Sequence, residues 1–214
     1  MYLLYNCIET GVFMDHNQEY IRNLTIGDVP WHRLDTAYAR ATHFPAAFQI
    51  LSAMQDMKAV SSAIWEIRSI EHQSTLFYAA PFAMIFLTRI FHKAVEQYDK
   101  NEIAKYLVSK LLACFHDIAF ACRYAENYKH EKPLANFSDM LDEKYLCPVL
   151  SDEQLHDPYF EEAYEYPDVL FYSFYFYSYR ILLEVKESIV KIKDERLSDG
   201  IEQLLMLLSL PHVK

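Results

Sequence analysis

The sequence predicts an all-α protein, and three observations support this prediction. Glycine is scarce, with three residues among 214, so tight turns and hairpins that need a positive φ should be few. Long stretches place apolar residues at steps of three and four, as on one face of a helix. The aromatic stretch after Asp168 has strand-like propensity, but it lacks the alternation of polar and apolar residues that a half-buried strand shows.

The first half of the chain contains three predicted helices. Residues 45–54 and 59–70 predict two helices that are separated near residues 55–58. Residues 79–98 predict a third helix, which is long and strongly apolar. A polar cluster, the His-Gln-Ser-Thr of residues 72–75, stands before this third helix and raises the question of its role.

We expect the polar cluster to have a structural role. A helix start leaves backbone N–H groups without partners, and Ser74 or Thr75 can cap such groups. His72 and Gln73 would then hold the loop through hydrogen bonds to backbone, because buried polar groups normally have partners. A catalytic or metal-binding role for the cluster is the alternative.

The second half gives the strongest helical signal. Residues 101–128 carry seven apolar side chains at steps of three and four, namely Ala104, Leu107, Leu111, Phe115, Ile118, Cys122 and Ala125. Residues 128–158 contain two prolines and short segments, which indicates an irregular excursion from the helical stack. Beyond it, one long helix is predicted over residues 170–192. A short helix comes after Gly200 and ends at Pro211.

Several classes of function are disfavoured, and a single domain over residues 1–214 is expected because no Ser- or Gly-rich linker divides the chain. Three scattered glycines build no Gly-rich phosphate loop or dinucleotide fingerprint, which excludes P-loop NTPases, kinases and Rossmann enzymes. The four cysteines have no metal-ligand spacing, and no cofactor is expected. The chain start lacks a signal-peptide pattern and the longest charge-free run is shorter than the ~20 residues of a membrane span, so we expect a cytoplasmic protein.

The negative charge is concentrated in one stretch, residues 139–168, which we call the acidic segment. It holds ten of the 30 acidic residues and one of the 20 basic residues of a chain whose formal charge is −10. Interleaved aromatic residues make it a plausible surface for a basic protein partner, although a solvated face is the plainer alternative. The predicted partner-binding residues are Asp152, Glu153, Asp157, Tyr159, Phe160, Glu161, Glu162, Tyr164, Glu165, Tyr166 and Asp168. No basic stripe is present for nucleic acid.

Residues 28–95 resemble the opening of bacterial HEAT-like helical-repeat proteins. The matching residues are Trp31, Leu34, Ala37, Tyr38, Ala41, Pro45, Leu51, Ile70, His72, Gln73, Thr75, Ala79, Ala83, Phe86 and Leu87. The chain departs from that pattern at Ala39 and Ser74, where the family has glycine, and at Ile85, where it has proline. The resemblance implies a superhelical stack of antiparallel helix pairs that recognises proteins and has no shared catalytic activity.

The leading functional prediction is therefore a non-catalytic binding protein, and more sharply an immunity protein that neutralises a cognate bacterial toxin. An acidic helical binder would capture a basic toxin quickly through electrostatic steering. The alternatives are a general HEAT-like scaffold and a metal-dependent phosphohydrolase of the HD type. The enzyme would use His116 and Asp117, with an upstream histidine such as His72 or His92 and a downstream acid such as Asp139.

Overall fold

The protein is all-α, as predicted. A computed structural model describes residues 16–123, 132–150 and 165–209. The described helices are α1 (16–23), α2 (Phe44–Ala53), α3 (Met57–Ile67), α4 (Ala79–Glu96), α5 (Glu102–Ala121), α6 (Asp168–Leu182), α7 (Lys186–Ile189) and α8 (Ser198–Ser209). Short 3-10 turns occur at Ile26–Asp28, Trp31–Arg33, Ala41–His43, Arg68–Ile70, Phe137–Leu141, Leu183–Val185 and Glu195–Leu197. No described helix is long and apolar enough to cross a membrane.

The helices pack as two neighbouring rows, and α4 is the middle helix of one of them. Helix α4 lies between α2 and α6, and α5 lies beside it between α3 and α8. Thirteen of the 18 residues of α4 are buried, which makes it the central helix of the core. An aromatic cluster closes one side, where the Trp31 ring lies 5.4–5.8 Å from the rings of Phe44, Phe48 and Phe86. Burying each such ring stabilises the fold by about 1.5–3 kcal/mol.

Local side chains explain where several helices begin and end. Asp56 accepts a hydrogen bond from the Ala59 amide and caps α3, and Asn101 caps α5 in the same way. Helix α2 has Pro45 in its first turn and ends at Met54, whose φ of 48° is left-handed. The predicted starts of α2 to α5 therefore lie close to the observed ones.

The long helix predicted over residues 170–192 is interrupted. A 3-10 turn, Leu183–Val185, separates α6 from the short helix α7, and the helical run ends at Ile189. Three residues at three per turn rotate the chain by about 60° more than three α-helical residues. This rotation places the buried residues of α7 against α4. Helix α8 begins at Ser198, so Gly200 lies in its first turn.

The polar cluster forms a β-hairpin, which the sequence did not predict. Strand β1 (Glu71–His72) pairs with β2 (Thr75–Leu76) in antiparallel register. The two residues between them, Gln73 and Ser74, have φ values of 50° and 64°. Positive φ at both central residues is the geometry of a type I′ turn, which favours glycine. Scarce glycine predicted few tight hairpins, and the one hairpin among the described residues forms without glycine.

The predicted capping role of the cluster is also wrong. The Tyr78 amide donates to Asp35 Oδ1 (3.0 Å) and the Ala79 amide donates to the Asp35 carbonyl (3.1 Å). Asp35, from a loop distant in sequence, thus accepts hydrogen bonds from the backbone amides at the start of α4. Neither Ser74 nor Thr75 is needed there. His72 bonds to a side-chain hydroxyl, that of Tyr38, and not to backbone as predicted.

Residues 132–150 cross the stack as a strap that is tied to the core. Its Phe137 and Met140 side chains are fully buried. The Asn17 side chain bonds to the Ala135 carbonyl and the Phe137 amide, and the Tyr177 hydroxyl donates to the Leu134 carbonyl (2.7 Å). The predicted excursion is irregular in this described part, but it supplies core residues and is anchored to α1 and α6.

Candidate functional site

Loop segments meet at one end of the helical stack, which we call the hairpin end. They are residues 35–40, 69–76, 147–150 and 165–167. The Ala37 amide donates to the Ser69 carbonyl (2.8 Å), which joins the first two segments. The Arg40 guanidinium donates to the Pro148 carbonyl (3.4 Å), which joins the third. The end of α3 leads into this surface because Ser69 lies just beyond that helix.

Both flanks of residues 151–164 lie at the hairpin end. Residues 147–150 precede this part of the acidic segment, and Tyr166 comes soon after it. The Tyr166 ring packs edge-on against the Tyr78 ring (5.4 Å), and its hydroxyl lies 3.1 Å from Cys147 Sγ. The chain therefore leaves and re-enters the described structure at the same end.

The most exposed large apolar side chains of the described residues lie in the hairpin end or, for Trp65, one helical turn before it. Trp65 is 82% exposed, Tyr38 is 74% exposed and Val149 is 67% exposed. Trp65 lies one helical turn before Ser69, and Tyr38 directly follows Ala37, so the Ser69–Ala37 hydrogen bond brings their backbones together. Exposed apolar groups on neighbouring segments mark interaction surfaces more often than singly scattered ones do.

Tyr38 is held in place despite its exposure. Its hydroxyl lies 3.0 Å from His72 Nδ1, and the two rings are 5.3 Å apart between centroids. Thr36 Oγ1 accepts from the Tyr38 amide, and the Thr36 amide and hydroxyl both donate to the Ala39 carbonyl. A fixed aromatic loses little side-chain entropy when a partner covers it. The Tyr38–His72 pair is thus preorganised for contact.

The structure describes three of the predicted partner-binding residues. Glu165 and Asp168 are exposed, as a contact role requires. Tyr166 packs its ring against Tyr78 and Phe174, and burial raises the pKa of its hydroxyl, so it serves as a packing residue of the core. The other eight lie outside the described residues and stay predictions: Asp152, Glu153, Asp157, Tyr159, Phe160, Glu161, Glu162 and Tyr164.

The first acids of the acidic segment have local partners. Asp139 accepts from the Asn136 amide in a capping box. Glu143 pairs with Arg33 at 2.7 Å, and Asp142 lies 3.5 Å from the Lys144 ammonium. These acids stabilise the strap. Their negative charge is partly neutralised by these local partners, so less of it is available to attract a binding partner.

His116 and Asp117, the predicted metal-binding pair, form an ion-pair arrangement with a neighbouring helix. The Arg68 guanidinium donates to Asp117 Oδ2 at 2.7 Å, and His116 Nδ1 lies 3.7 Å from Asp117 Oδ1. Arg68 thereby engages one oxygen of the carboxylate that the metal-site hypothesis assigns as a ligand. This pairing links the end of α3 to α5 beside the hairpin end.

The other proposed metal ligands are engaged elsewhere. His72 bonds to Tyr38, and His92 bonds to Ser188 at 2.6 Å. Asp139 belongs to its capping box. Within residues 16–123, 132–150 and 165–209, no group of three His, Cys, Asp or Glu side chains is placed to hold a metal ion.

Trp65 and Tyr38 were not among the predicted site residues, although the sequence contains a signal for Trp65. The buried positions of α3 are Val60, Ala63, Ile64 and Ile67. On a helical wheel Trp65 falls outside this stripe, so a large aromatic side chain faces away from the core. The exposure of Tyr38 depends on a loop conformation and has no comparable signal.

Comparisons with protein-family models, with curated proteins and with solved structures give no match to this chain. The resemblance to HEAT-like repeat proteins over residues 28–95 therefore stays a prediction. The geometry of the described residues and the charge of the sequence are the observations that bear on function.

Proposed function

We propose that this chain is a non-catalytic protein-binding protein, and more specifically an immunity protein that neutralises a bacterial toxin. The observation that carries the proposal is that Trp65, Tyr38 and Val149, the most exposed large apolar side chains of the described residues, share the end of the stack from which residues 151–164 depart. Aromatic anchors beside acidic charge suit a protein partner with a basic, partly apolar surface.

The two parts of this surface would have different roles. Acidic side chains such as those of Glu165 and Asp168 attract a basic partner from a distance and speed the encounter. The exposed rings of Trp65 and Tyr38 provide the area that leaves water on contact, and this determines how long the complex lasts. An immunity protein needs both properties, because it must reach its toxin before the toxin reaches a target.

The arrangement of helices supports a HEAT-like stack as part of the proposal. Helices α2, α4 and α6 succeed one another in one row, and α3, α5 and α8 do so in the other. Successive antiparallel pairs packed side by side are the pattern of such stacks. Cys114, Cys122 and Cys147 are buried free thiols, which fits the cytoplasm proposed as the location.

The test is capture of the partner by the full chain at low and at high salt, followed by expression of that partner alone. We expect one basic protein that is retained at low salt, is weakened at high salt, and stops cell growth unless this chain is co-expressed. A retained partner that is harmless would reject the immunity function and leave a binding function. A retained partner whose binding ignores salt would reject the acidic surface.

A metal-dependent phosphohydrolase is the rival function, and the geometry does not favour it. Asp117 is paired with Arg68, and the candidate histidines His72 and His92 bond to other groups. Measuring divalent metal in the purified protein checks this directly. A stoichiometric metal that His116→Ala removes would replace the binding proposal with the enzyme.

A further inference from the structure

The opposite end of the stack contains a cavity of about 520 Å³, and we call this region the cavity end. The cavity lies between the end of α4, the α4–α5 turn and the connection from α7 to α8. Its volume is within the roughly 300–1,000 Å³ range of small-molecule sites. Its wall carries charged side chains of both signs, in equal numbers: Lys105, Lys191, Lys193 and Arg196, and Glu96, Asp99, Asp194 and Glu195.

A buried serine and a half-buried histidine form its inner wall. Ser188 is 5% exposed, and its Oγ lies 2.6 Å from His92 Nδ1. His92 is the only hydrogen-bond partner of that hydroxyl in the described structure. We assign the hydroxyl as the donor to Nδ1, because this direction gives the buried O–H an acceptor within the protein.

This hydrogen bond fixes the tautomer of His92. With Nδ1 accepting, the neutral ring carries its proton on Nε2, so a ring that lines the cavity has one N–H available to donate. Burial first, and then the neighbouring Lys191 ammonium, lower the pKa of His92, so the ring is neutral near pH 7. The inner wall thus offers a neutral N–H donor close to a cation.

On a second wall of the cavity, the negative charge of Asp194 is already neutralised by neighbouring donors. Asp194 accepts from the Tyr98 hydroxyl (2.8 Å) and from the Arg196 guanidinium and amide, and these bonds lower the pKa of the Asp194 carboxyl. The Lys105 ammonium faces Glu102 at 2.6 Å, and its side chain is mostly covered. A carboxylate entering the cavity would meet these donors without opposition from a bare Asp194.

The acids without such partners stand at the rim. Glu96, Asp99 and Glu195 are exposed, and among the described residues they make no side-chain hydrogen bond or ion pair. The Lys191 and Lys193 side chains are exposed at this cavity as well, so its opening carries charges of both signs beside the His92 ring. Charges of both signs fit a molecule that has both an anionic and a cationic group.

We propose that this cavity binds a small zwitterion of the amino-acid or short-peptide class. The carboxylate of the ligand accepts from His92 Nε2–H and from the Lys191 ammonium. Its ammonium lies at the rim near Glu96 and Asp99. This site is independent of the hairpin end and of the immunity function.

The test uses 6-aminohexanoate, which carries a carboxylate and an ammonium group. Hexanoate carries only the carboxylate and hexylamine only the ammonium group, so they are the matched probes. Binding is followed by the ring resonances of His92 in the full-length protein. We expect a saturable shift with 6-aminohexanoate and binding about tenfold weaker, or absent, with either single-charge probe, since each probe lacks one of the two charged contacts. No saturable shift, or equal affinity for hexanoate, would overturn the proposal.

Variants separate a binding role from a structural one. Lys191→Ala changes an exposed side chain, so the fold is retained, and we expect the affinity for 6-aminohexanoate to fall about tenfold. Ser188→Ala frees Nδ1 and should weaken binding while shifting the tautomer seen in the His92 resonances. His32→Gln, which changes an exposed histidine that does not line the cavity, is the control. Unchanged affinity in Lys191→Ala would reject the assignment.

Discussion

The two ends of the helical stack differ in the kind of side chain that they expose to solvent. At and beside the hairpin end, the large side chains of Trp65, Tyr38 and Val149 are exposed to solvent. At the cavity end the conspicuous side chains are charged or hydroxylated, and several are bonded to one another, as in the pair of Tyr98 and Asp194. The proposals assign a large partner that removes water to the first end and a small polar molecule to the second.

This contrast shows that one helical stack can present unrelated surfaces because its connections set them. Each helix of the pairs contributes its apolar stripe to the core, and this is common to both ends. The loops at the helix ends are free to differ, and function depends on their side chains and not on the fold. Variants at each end can therefore test the contrast separately.

Partner binding should show the greatest change. The double variant Tyr38→Ala/Trp65→Ala should weaken affinity for the captured partner by about 100-fold, because exposed aromatics that become buried are typical hot spots. Val190→Ala, which removes a 59%-exposed side chain beside the cavity end, is the matched control and should leave affinity unchanged. Titration calorimetry with purified partner measures both. Equal losses in the two variants would remove the hairpin end as the interface.

The second prediction concerns two left-handed residues at opposite ends. Ser74, with φ 64°, lies in the hairpin turn, and Met54, with φ 48°, ends α2 near the cavity end. Ser74→Gly should stabilise the fold by about 1 kcal/mol, because glycine adopts this φ without the steric cost that other residues incur.

Met54→Gly should act in the opposite direction. It relieves the same backbone cost but removes a buried side chain, whose loss costs about 2–5 kcal/mol. The net effect is a destabilisation of about 2 kcal/mol. Urea unfolding followed by circular dichroism measures both variants. If Ser74→Gly destabilises the protein, the hairpin turn is not strained in the way its φ values indicate.

Helices were predictable here because their signal is local. Apolar spacing indicated the positions of α4 and α5, and the Asn101 cap, which was not among the predictions, lies next to the helix it serves. The hairpin was missed because its turn residues, Gln73 and Ser74, are not those that positive φ favours. Sequence patterns report common solutions, and this turn is an uncommon one.

The sites were less predictable because their contacts join distant positions. Asp35 reaches the start of α4 across 43 residues, and His92 meets Ser188 across 96. No periodic pattern encodes such pairs, since they depend on how helices pack. The concentration of negative charge was readable from the sequence, whereas the exposed ring of Tyr38 beside it was not.

The third prediction separates charge from apolar contact at the hairpin end. The triple variant Glu161→Lys/Glu162→Lys/Glu165→Lys should slow association with the basic partner about tenfold and change dissociation little, because surface charge acts mainly on the encounter. The Tyr38→Ala/Trp65→Ala variant should instead speed dissociation. Surface plasmon resonance at two salt concentrations resolves both rates. An unchanged association rate in the triple variant would exclude the acidic segment from the interface.

The smallest predicted effect is a pH dependence of stability at the cavity end. The pKa of His92 is lowered, first by burial and then by Lys191, while Glu187 and Glu96 oppose this shift in part. In the unfolded chain His92 takes up a proton near pH 6.5, before the folded protein does. The unfolded state then binds more protons, so the free energy of unfolding falls as pH drops through about 6.5. It stops falling once the folded His92 is also protonated.

Urea unfolding at about pH 7.5, 6.5 and 5.5, values that bracket the unfolded pKa of histidine, tests this sign. The decline over this range should be smaller in His92→Gln than in the wild type, because glutamine keeps a polar side chain but has no proton to gain. His32→Gln controls for loss of an exposed histidine and should retain the wild-type decline. A decline that is equal in all three proteins would show that another group carries it. The pKa of His92 would then be the same in the folded and unfolded states, which would contradict the effect of burial on its charged form.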